Sequence, residues 1–188
     1  LLSSVFIFFA CNDKITSPTS FENLSKQGSK SSYELTQDEI DGLILGRQQE
    51  KLARDVYTVL NQTWNMDFLD KIILSEQKHM DAAESQIIKF ELTDPITNDA
   101  VGVFPEDSEF DDLFIELTTR GLTSILEAVN VGKEIEEETI AFLREQLSLT
   151  TAKSLVRVYT HLETASEKHL KSFVKQIIKV APTEEFAL

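Results

Sequence analysis

The sequence predicts an all-α protein in which four long helices form a bundle with one long connection. Four segments place apolar residues at alternating spacings of three and four, the pattern of a helix that is buried along one face. The 188 residues include only 6 Gly and 4 Pro, so the chain has few of the breaks that many short strands require. The connections between the four segments are short, long and short, which predicts two helical hairpins joined by a crossover.

The first two helices form the first predicted hairpin. A capping box, Thr36-Gln37-Asp38-Glu39, begins the first helix, which should run over about residues 37–61. A short loop around residues 62–65 then leads into a second helix over about residues 67–91. This short loop predicts that the two helices are antiparallel neighbours.

A long connection, residues 92–123, follows the second helix and carries a minor helix near residues 109–119 that Gly121 can end. A helix of about 24 residues is roughly 36 Å long. The connection is long enough to return over that distance, which would let the third long helix run parallel to the second. An up-down-up-down bundle would not need such a connection.

The last two helices form the second predicted hairpin. Ser124 opens a second capping box and a third helix that should extend to about Leu147. After a brief break near residues 148–150, the fourth helix should run to about Val180, where Pro182 is expected to stop it.

Each of the four apolar stripes is interrupted by ionisable residues near the middle of its helix. Glu50 lies on the first stripe, Glu76 and His79 on the second, Glu136 on the third and His169 on the fourth. Buried carboxylates are costly unless they are paired or bound to a metal. Carboxylate oxygens with a few imidazole nitrogens suit iron or manganese, so the sequence predicts that these five side chains converge on a metal site.

Neighbouring residues are expected to support this site. Tyr57 lies seven residues after Glu50 on the same face, where its hydroxyl could hydrogen-bond a ligating carboxylate. Small residues near the polar positions are expected to leave room for a metal cluster: Gly46, Ala53, Ala83 and Gly132.

Five segments carry a resemblance to known proteins, and they span about residues 34–180: 50–57, 75–82, 102–104, 135–137 and 166–173. On these segments the chain resembles the ferritin-like superfamily of diiron carboxylate proteins. More narrowly, it is similar to an uncharacterised bacterial and archaeal ferritin-like family of unknown function. The resemblance implies a ferritin-like four-helix bundle, with its long crossover between helices two and three, and a site for two iron ions or for manganese. It implies no established activity.

The sequence departs from that superfamily in helix four, which usually supplies Glu-x-x-His. Ser166 stands here at the carboxylate position, so the ligand set is one carboxylate short. Glu137, Glu163 and Glu167 are alternative ligands, although their spacing places them off the buried line, on faces where charges are usually solvated. His161 also lies off that line. The alternative is a degenerate bundle in which the buried Glu and His side chains only hydrogen-bond to one another.

The N-terminus predicts a lipoprotein of the bacterial cell envelope. Residues 1–10 are uncharged and mostly apolar, and they are followed by Cys11; this Ala-Cys ending is the pattern of a lipoprotein signal with Cys11 as the lipidated residue. Residues 12–33 have the composition of a flexible tether. The predicted domain spans residues 34–181 and is followed by a short tail, residues 182–188.

Two functional hypotheses follow from these observations. With 18 Lys and Arg against 32 Asp and Glu, the net charge of −14 disfavours nucleic acid and favours cations. The first hypothesis is a redox centre that oxidises Fe(II) or reduces O₂ or peroxide. The second is a non-catalytic helical lipoprotein that binds metal or a partner. The sequence contains no feature that decides between them or fixes the oligomeric state.

Overall fold

A computed structural model of the chain describes residues 33–106 and 108–184, with side chains described as far as residue 181. The described residues form five helices and no strand, which confirms the all-α prediction. The helices are α1 (Gln37–Trp64), α2 (Asp67–Lys89), α3 (Phe110–Gly121), α4 (Ile125–Leu149) and α5 (Lys153–Glu184). The helix α3 is the minor helix of the long connection.

Local chemistry at the helix starts agrees with the sequence. Thr36 Oγ1 accepts a hydrogen bond from Glu39 N at 3.3 Å, and Glu39 Oε2 accepts one from Thr36 N at 2.9 Å. The capping box predicted for α1 is therefore present. Ser124 Oγ likewise accepts a hydrogen bond from Glu127 N at 3.1 Å and caps the start of α4.

Two helix ends differ from the sequence prediction. Helix α1 continues to Trp64 and ends at Asn65, whose φ of 48° is left-handed, so only residues 65–66 connect it to α2. The prediction that Pro182 stops α5 near Val180 was wrong, because the helix extends to Glu184. A proline removes only the hydrogen bond from its own N–H to the carbonyl four residues earlier, and its fixed φ of about −65° is compatible with helical backbone.

The contacts between helices define their directions. Pairs in contact include Arg54–Gln77 and Asn61–Asp70 for α1 and α2, Tyr57–Glu136 and Gly42–Gln146 for α1 and α4, and Gly132–Phe173 and Arg144–Glu163 for α4 and α5. In each pair of helices, the residue numbers rise along one helix and fall along the other. Both hairpins are therefore antiparallel, α1 and α4 are antiparallel, and α2 and α4 run in the same direction.

The core has apolar layers on both sides of a polar middle. One layer contains these buried residues: Leu43, Ala83, Ile87, Phe142, Leu143, Ala152, Leu155, Tyr159 and Leu162. Toward the other end of the long helices lie further buried apolar residues: Val56, Leu60, Leu69, Ile72, Val129 and Phe173. The five polar residues predicted to bind metal are buried between these layers.

Several N-terminal predictions concern residues that the structure does not describe. The signal segment 1–11, Cys11 and the tether as far as residue 32 lie outside the described residues. Among the described helices, none has the length and apolarity needed to cross a membrane.

Candidate metal centre

The structure brings all five predicted ligands together in the middle of the core. Helix α1 contributes Glu50, α2 contributes Glu76 and His79 one turn apart, α4 contributes Glu136 and α5 contributes His169. All five are buried. They form two groups that could each hold a metal ion, one of Glu50, Glu76 and His79 and the other of Glu76, Glu136 and His169.

Glu76 is common to both groups. Its Oε2 lies 2.7 Å from His79 Nδ1, and its Oε1 lies 2.8 Å from His169 Nδ1. His79 Nδ1 also lies 3.1 Å from Glu50 Oε2, and His169 Nδ1 lies 3.4 Å from Glu136 Oε1. Each imidazole is thus placed between Glu76 and one other carboxylate, and the two rings stack with their centroids 5.8 Å apart.

Two buried polar atoms of the cluster have no hydrogen bond of acceptable geometry among the described residues. They are Glu76 Oε1 and His169 Nδ1, which lie close together. Buried polar atoms normally have a partner. A carboxylate oxygen and an imidazole nitrogen are both metal donors, and in each group the donor atoms lie within 4.8 Å of one another. The residues therefore fit a metal ion.

The three carboxylates differ in acidity because their neighbours differ. Burial raises the pKa of Glu50 to about 7, although the His79 imidazole acts in the opposite direction. Burial and the negative charge of Glu76 raise the pKa of Glu136 to about 7. Burial would also raise the pKa of Glu76, but its two imidazole neighbours outweigh burial and lower that pKa to about 2. Glu76 is therefore the carboxylate that stays ionised.

The two histidines are held in the protonated form when no cation is bound. Burial alone would lower the pKa of His79, but Glu50 and Glu76 raise it to about 10. Glu136 and Glu76 likewise overcome burial and raise the pKa of His169 to about 9. A metal ion binds neutral imidazole, so metal binding must release these protons.

Tyr57 positions one of the carboxylates. Its hydroxyl donates a hydrogen bond to Glu136 Oε1 at 2.9 Å, and its ring packs against Phe173 with centroids 5.2 Å apart. Burial and the charge of Glu136 raise the pKa of Tyr57 well above its usual range, so the hydroxyl remains a donor. The structure thus places the Tyr57 hydroxyl beside Glu136, one of the five predicted ligands.

The alternative ligands lie elsewhere. Glu137 pairs with Lys133 at 2.6 Å and Glu163 with Arg144 at 2.7 Å, both in exposed ion pairs rather than in the cluster. Glu167 also pairs with Arg144. Ser166 is fully buried, and its hydroxyl has no hydrogen-bond partner among the described residues. Helix α5 therefore contributes no carboxylate to the cluster.

His161 is exposed, as its position off the buried line indicates. Its ring nevertheless lies edge-on to His79, with centroids 6.3 Å apart. This proximity places an exposed imidazole beside a buried one at the edge of the cluster.

The expected role of two glycines was wrong. A Cβ on Gly132 would lie 2.0 Å from the Phe173 ring, and a Cβ on Gly46 would lie 3.2 Å from the Phe142 ring. These glycines make room for aromatic rings of the facing helices rather than for the cluster. Their spacing beside the polar residues could not reveal which side chain occupies that space.

A second set of buried charges on α1 was missed by the sequence prediction. Asp55 accepts hydrogen bonds from Lys51 Nζ at 2.6 Å, from Arg54 Nε at 2.8 Å and from Gly102 N at 3.0 Å. Lys51 also donates to Ala100 O at 2.8 Å. These bonds attach the long connection to α1. The Lys51–Asp55 spacing of four was the available signal, but that spacing is most common on exposed helix faces.

Comparison with known proteins extends over nearly all of the folded region. Residues 39–182 match a family described as an uncharacterized protein domain, DUF2202. The chain is 36% identical over 143 residues to the uncharacterized protein MJ0754 of Methanocaldococcus jannaschii, which covers 76% of this chain and 77% of that protein. It is also similar to the crystal structure of the hypothetical protein MJ0754 from Methanococcus jannaschii, with a TM-score of 0.76, 34% identity, and coverage of 85% of this chain and 87% of that one. The chain therefore belongs to the DUF2202 family.

Proposed function

We propose that this protein is a ferritin-like four-helix bundle that binds iron or manganese, with two metal ions as its full occupancy. The observation that carries the proposal is the pair of Glu/His groups that share Glu76 in a buried core. Carboxylate oxygens and imidazole nitrogens that converge within 4.8 Å of one another in each group are the donors that these metals prefer.

The directions of the helices support the ferritin-like part of the proposal. Helices α2 and α4 run in the same direction and are joined by the long connection that contains α3. Helix α1 packs against α2 and α4, and α5 packs against the same two helices, whereas the backbones of α1 and α5 lie further apart and these helices meet through long side chains such as Tyr57 and Phe173. A bundle with one long crossover between its second and third long helices has this arrangement.

Each side chain has a separate task at such a site. Glu76 can present one oxygen to each group, with Glu50 and His79 completing one group and Glu136 and His169 the other. Tyr57 holds Glu136 through its hydroxyl. The apolar layers on both sides exclude water and strengthen the electrostatic interactions of the carboxylates. Bound iron or manganese would supply the capacity to exchange electrons with O₂ or peroxide.

Within this proposal, the favoured activity is oxidation of Fe(II) or reduction of O₂ or peroxide. The ligand set supports it because three protein residues per group leave coordination positions open. The second candidate is a non-catalytic metal-binding or partner-binding protein. The observation in its favour is Ser166, which gives α5 no carboxylate and leaves fewer anionic ligands to hold two ions.

Oxygen uptake by the purified protein separates the two candidates. Anaerobic protein loaded with Fe(II) would be mixed with oxygenated buffer in an oxygen electrode, with Glu76→Gln as the matched control. A redox centre predicts oxygen uptake that requires both Fe(II) and Glu76. Tight Fe(II) binding without uptake of oxygen or peroxide would favour the non-catalytic candidate.

The proposal includes anchoring to the bacterial cell envelope through Cys11. It is supported by the apolar segment that ends in Ala-Cys and by the polar composition that follows. Multiple acylation at Cys11 would be needed, because one acyl chain anchors a protein only marginally. Cys11→Ala should move the protein out of the lipidated membrane fraction, and unchanged fractionation would contradict the anchor.

A further inference from the structure

A pocket of about 490 Å³ lies between α2 and α5, beside the candidate metal centre. Its wall includes Lys71 and Ser75 of α2 and Lys168, His169 and Ser172 of α5. His169 is thus the member of the five-residue cluster that forms part of this wall. The pocket joins the solvent to one end of the candidate metal site.

The exposure of the cluster residues agrees with this position. The side chain of His169 is 11% exposed, whereas each of the other four is 2% exposed. The centre therefore opens toward solvent on its His169 side. A small molecule that reaches the centre by the most exposed side chain would pass through the pocket.

The charge at this opening is opposite to that of the protein as a whole. The chain carries a net charge of −14, yet the pocket has two lysines and one carboxylate, that of Asp67, on its wall. Lys71 and Lys168 are exposed, and neither forms an ion pair with another residue in the described part of the chain. Two unpaired ammonium groups beside a cleft attract anions.

A second pocket on the same helix α5 has a different balance of charge. The wall of that pocket, between α4 and α5, has Arg144 and Lys171 together with the carboxylates of Glu137 and Glu167, and Arg144 is paired with Glu163 and Glu167. The ammonium groups beside His169 have no such partner among the described residues. They are available to an external anion.

Hydrogen-bonding groups connect the pocket with both histidines. Ser75 Oγ lies 3.3 Å from His79 Nε2, and His169 itself lines the wall. Ser172 Oγ donates its one hydrogen to Lys168 O at 3.0 Å, so Ser75 is the hydroxyl on this wall that can donate to a ligand. A ligand in the pocket can therefore interact with His169 directly and with His79 through Ser75.

The ligand set of the centre also favours an anion. If two divalent ions bind, three carboxylates and two neutral imidazoles leave one positive charge of the ions unbalanced. Ser166 is buried one helical turn before His169, but its hydroxyl is neutral and cannot supply the missing negative charge. An external anion would supply it.

We propose that the pocket between α2 and α5 binds a small oxyanion, held by Lys71 and Lys168 against the His169 side of the centre. This inference rests on the proposed metal site for its role. The chemical class is a carboxylate or an inorganic oxyanion, because ammonium and hydroxyl groups recognise the charged oxygens that both share.

The test is a titration of the metal-free protein with sodium phosphate and, separately, with sodium acetate, each against sodium chloride at matched ionic strength. Chemical shifts of His169 and Ser75 would be followed by NMR. The paired variant Lys71→Gln/Lys168→Gln removes the two ammonium groups. The control Lys78→Gln/Lys175→Gln removes two exposed lysines of the same helices that do not line the pocket.

We expect saturable shifts with at least one of the two oxyanions and none with chloride. The pocket variant should weaken that binding by about tenfold or more, as expected for loss of charged hydrogen bonds, and the control by less than about twofold. The titration that gives saturable shifts, with phosphate or with acetate, identifies the class of oxyanion that the pocket binds. Equal weakening in the two variants, or no saturable shift with either oxyanion, would overturn the inference.

Metal content measured on the same samples separates this inference from the proposed function. Uptake of Fe(II) or Mn(II) by the pocket variant with loss of oxyanion binding supports both. Metal uptake by the unsubstituted protein without oxyanion binding overturns the pocket inference alone. Saturable, lysine-dependent oxyanion binding without any metal uptake supports the pocket and overturns the metal site.

Discussion

At the scale of single residues, Glu76 is the side chain that joins the two halves of the candidate metal site. Its two oxygens face different histidines, and it belongs to both groups that could hold a metal. Glu50 and Glu136 each belong to one group. The same imidazoles that lower the pKa of Glu76 also keep its charge available for a cation.

Because Glu76 belongs to both groups and Glu50 to one, substitutions of these two residues should remove different amounts of bound metal. Glu76→Gln removes a charged donor from both groups and should abolish stable metal binding, whereas Glu50→Gln should leave about half of the bound metal because the second group is intact. Metal per chain would be measured by elemental analysis after anaerobic loading. The surface variant Glu137→Gln should retain all of the metal. Equal retention in Glu76→Gln and Glu50→Gln would contradict the shared role.

Tyr57 acts on the site through Glu136. Tyr57→Phe keeps the ring packed against Phe173 but removes the hydrogen bond to Glu136, so we expect metal affinity to fall by about tenfold or more. The loss of folding stability should be only about 1 kcal/mol. Competition with a metal-sensitive dye would measure the affinity, and urea denaturation of the metal-free protein would measure the stability. A large stability loss with unchanged affinity would show that Tyr57 only packs.

The pKa values of the cluster predict how the metal-free protein responds to pH. The pKa values of His79 and His169 are raised to about 10 and about 9, so the stabilisation by their protonated forms is full below about pH 6.5 and is lost as pH rises through 9 to 10. Glu50 and Glu136, raised to about 7, add a loss between about pH 4.5 and 7. Stability should therefore fall from pH 6 to pH 10.

Urea midpoints at pH 6, 8 and 10 without metal would measure this fall. His79→Gln should flatten the slope at the alkaline end. Metal should reverse the trend, because the ion displaces protons from both histidines and binds more tightly as pH rises. A midpoint that is constant over this range, in the absence of metal, would contradict the assigned charge states.

At the scale of the elements, α1 carries two buried polar faces with different partners. On one face, Glu50 contacts His79 of α2. On the other face, Asp55 accepts a hydrogen bond from Gly102 N and so holds the connection of residues 90–109 against α1. The long connection is therefore held by specific bonds to α1 as well as by its covalent ends. Such bonds restrict the connection to one path along the helix.

Asp55→Asn tests this attachment. The substitution leaves Lys51 and Arg54 buried without their shared charge, and breaking a buried pair costs about 3–5 kcal/mol of folding stability. Asp99→Asn is the control, because the Asp99 carboxylate is 59% exposed where it meets Arg54 and should contribute less than about 1 kcal/mol. Urea denaturation would compare the two variants. Equal losses would mean that the connection is held mainly by other contacts.

At the scale of the whole molecule, periodicity explains what the sequence could predict. Glu50, Glu76, His79, Glu136 and His169 interrupt otherwise apolar stripes, so their burial and their convergence follow from helix geometry and pairing order. Lys51 and Asp55 are four residues apart, a spacing that is most common for ion pairs on exposed helix faces. Their burial is explained by the connection, which passes over them. The rings that fill the space beside Gly46 and Gly132 depend on the register between helices, which periodicity within each helix does not determine.

The change in melting temperature when metal is added to the metal-free protein shows whether the cluster binds metal in the folded state. Ligand at a hundredfold excess over Kd stabilises the native state by about 2.7 kcal/mol, which for a domain of this size raises Tm by roughly 5–10 °C. We expect Fe(II) or Mn(II) to produce such a rise under anaerobic conditions. His79→Ala should lower the Tm of the metal-free protein, because it removes the protonated partner of Glu50 and Glu76, and should also reduce the rise that metal produces. If neither ion changes the Tm of the unsubstituted protein, the buried Glu and His side chains form a structural network and the metal site is contradicted.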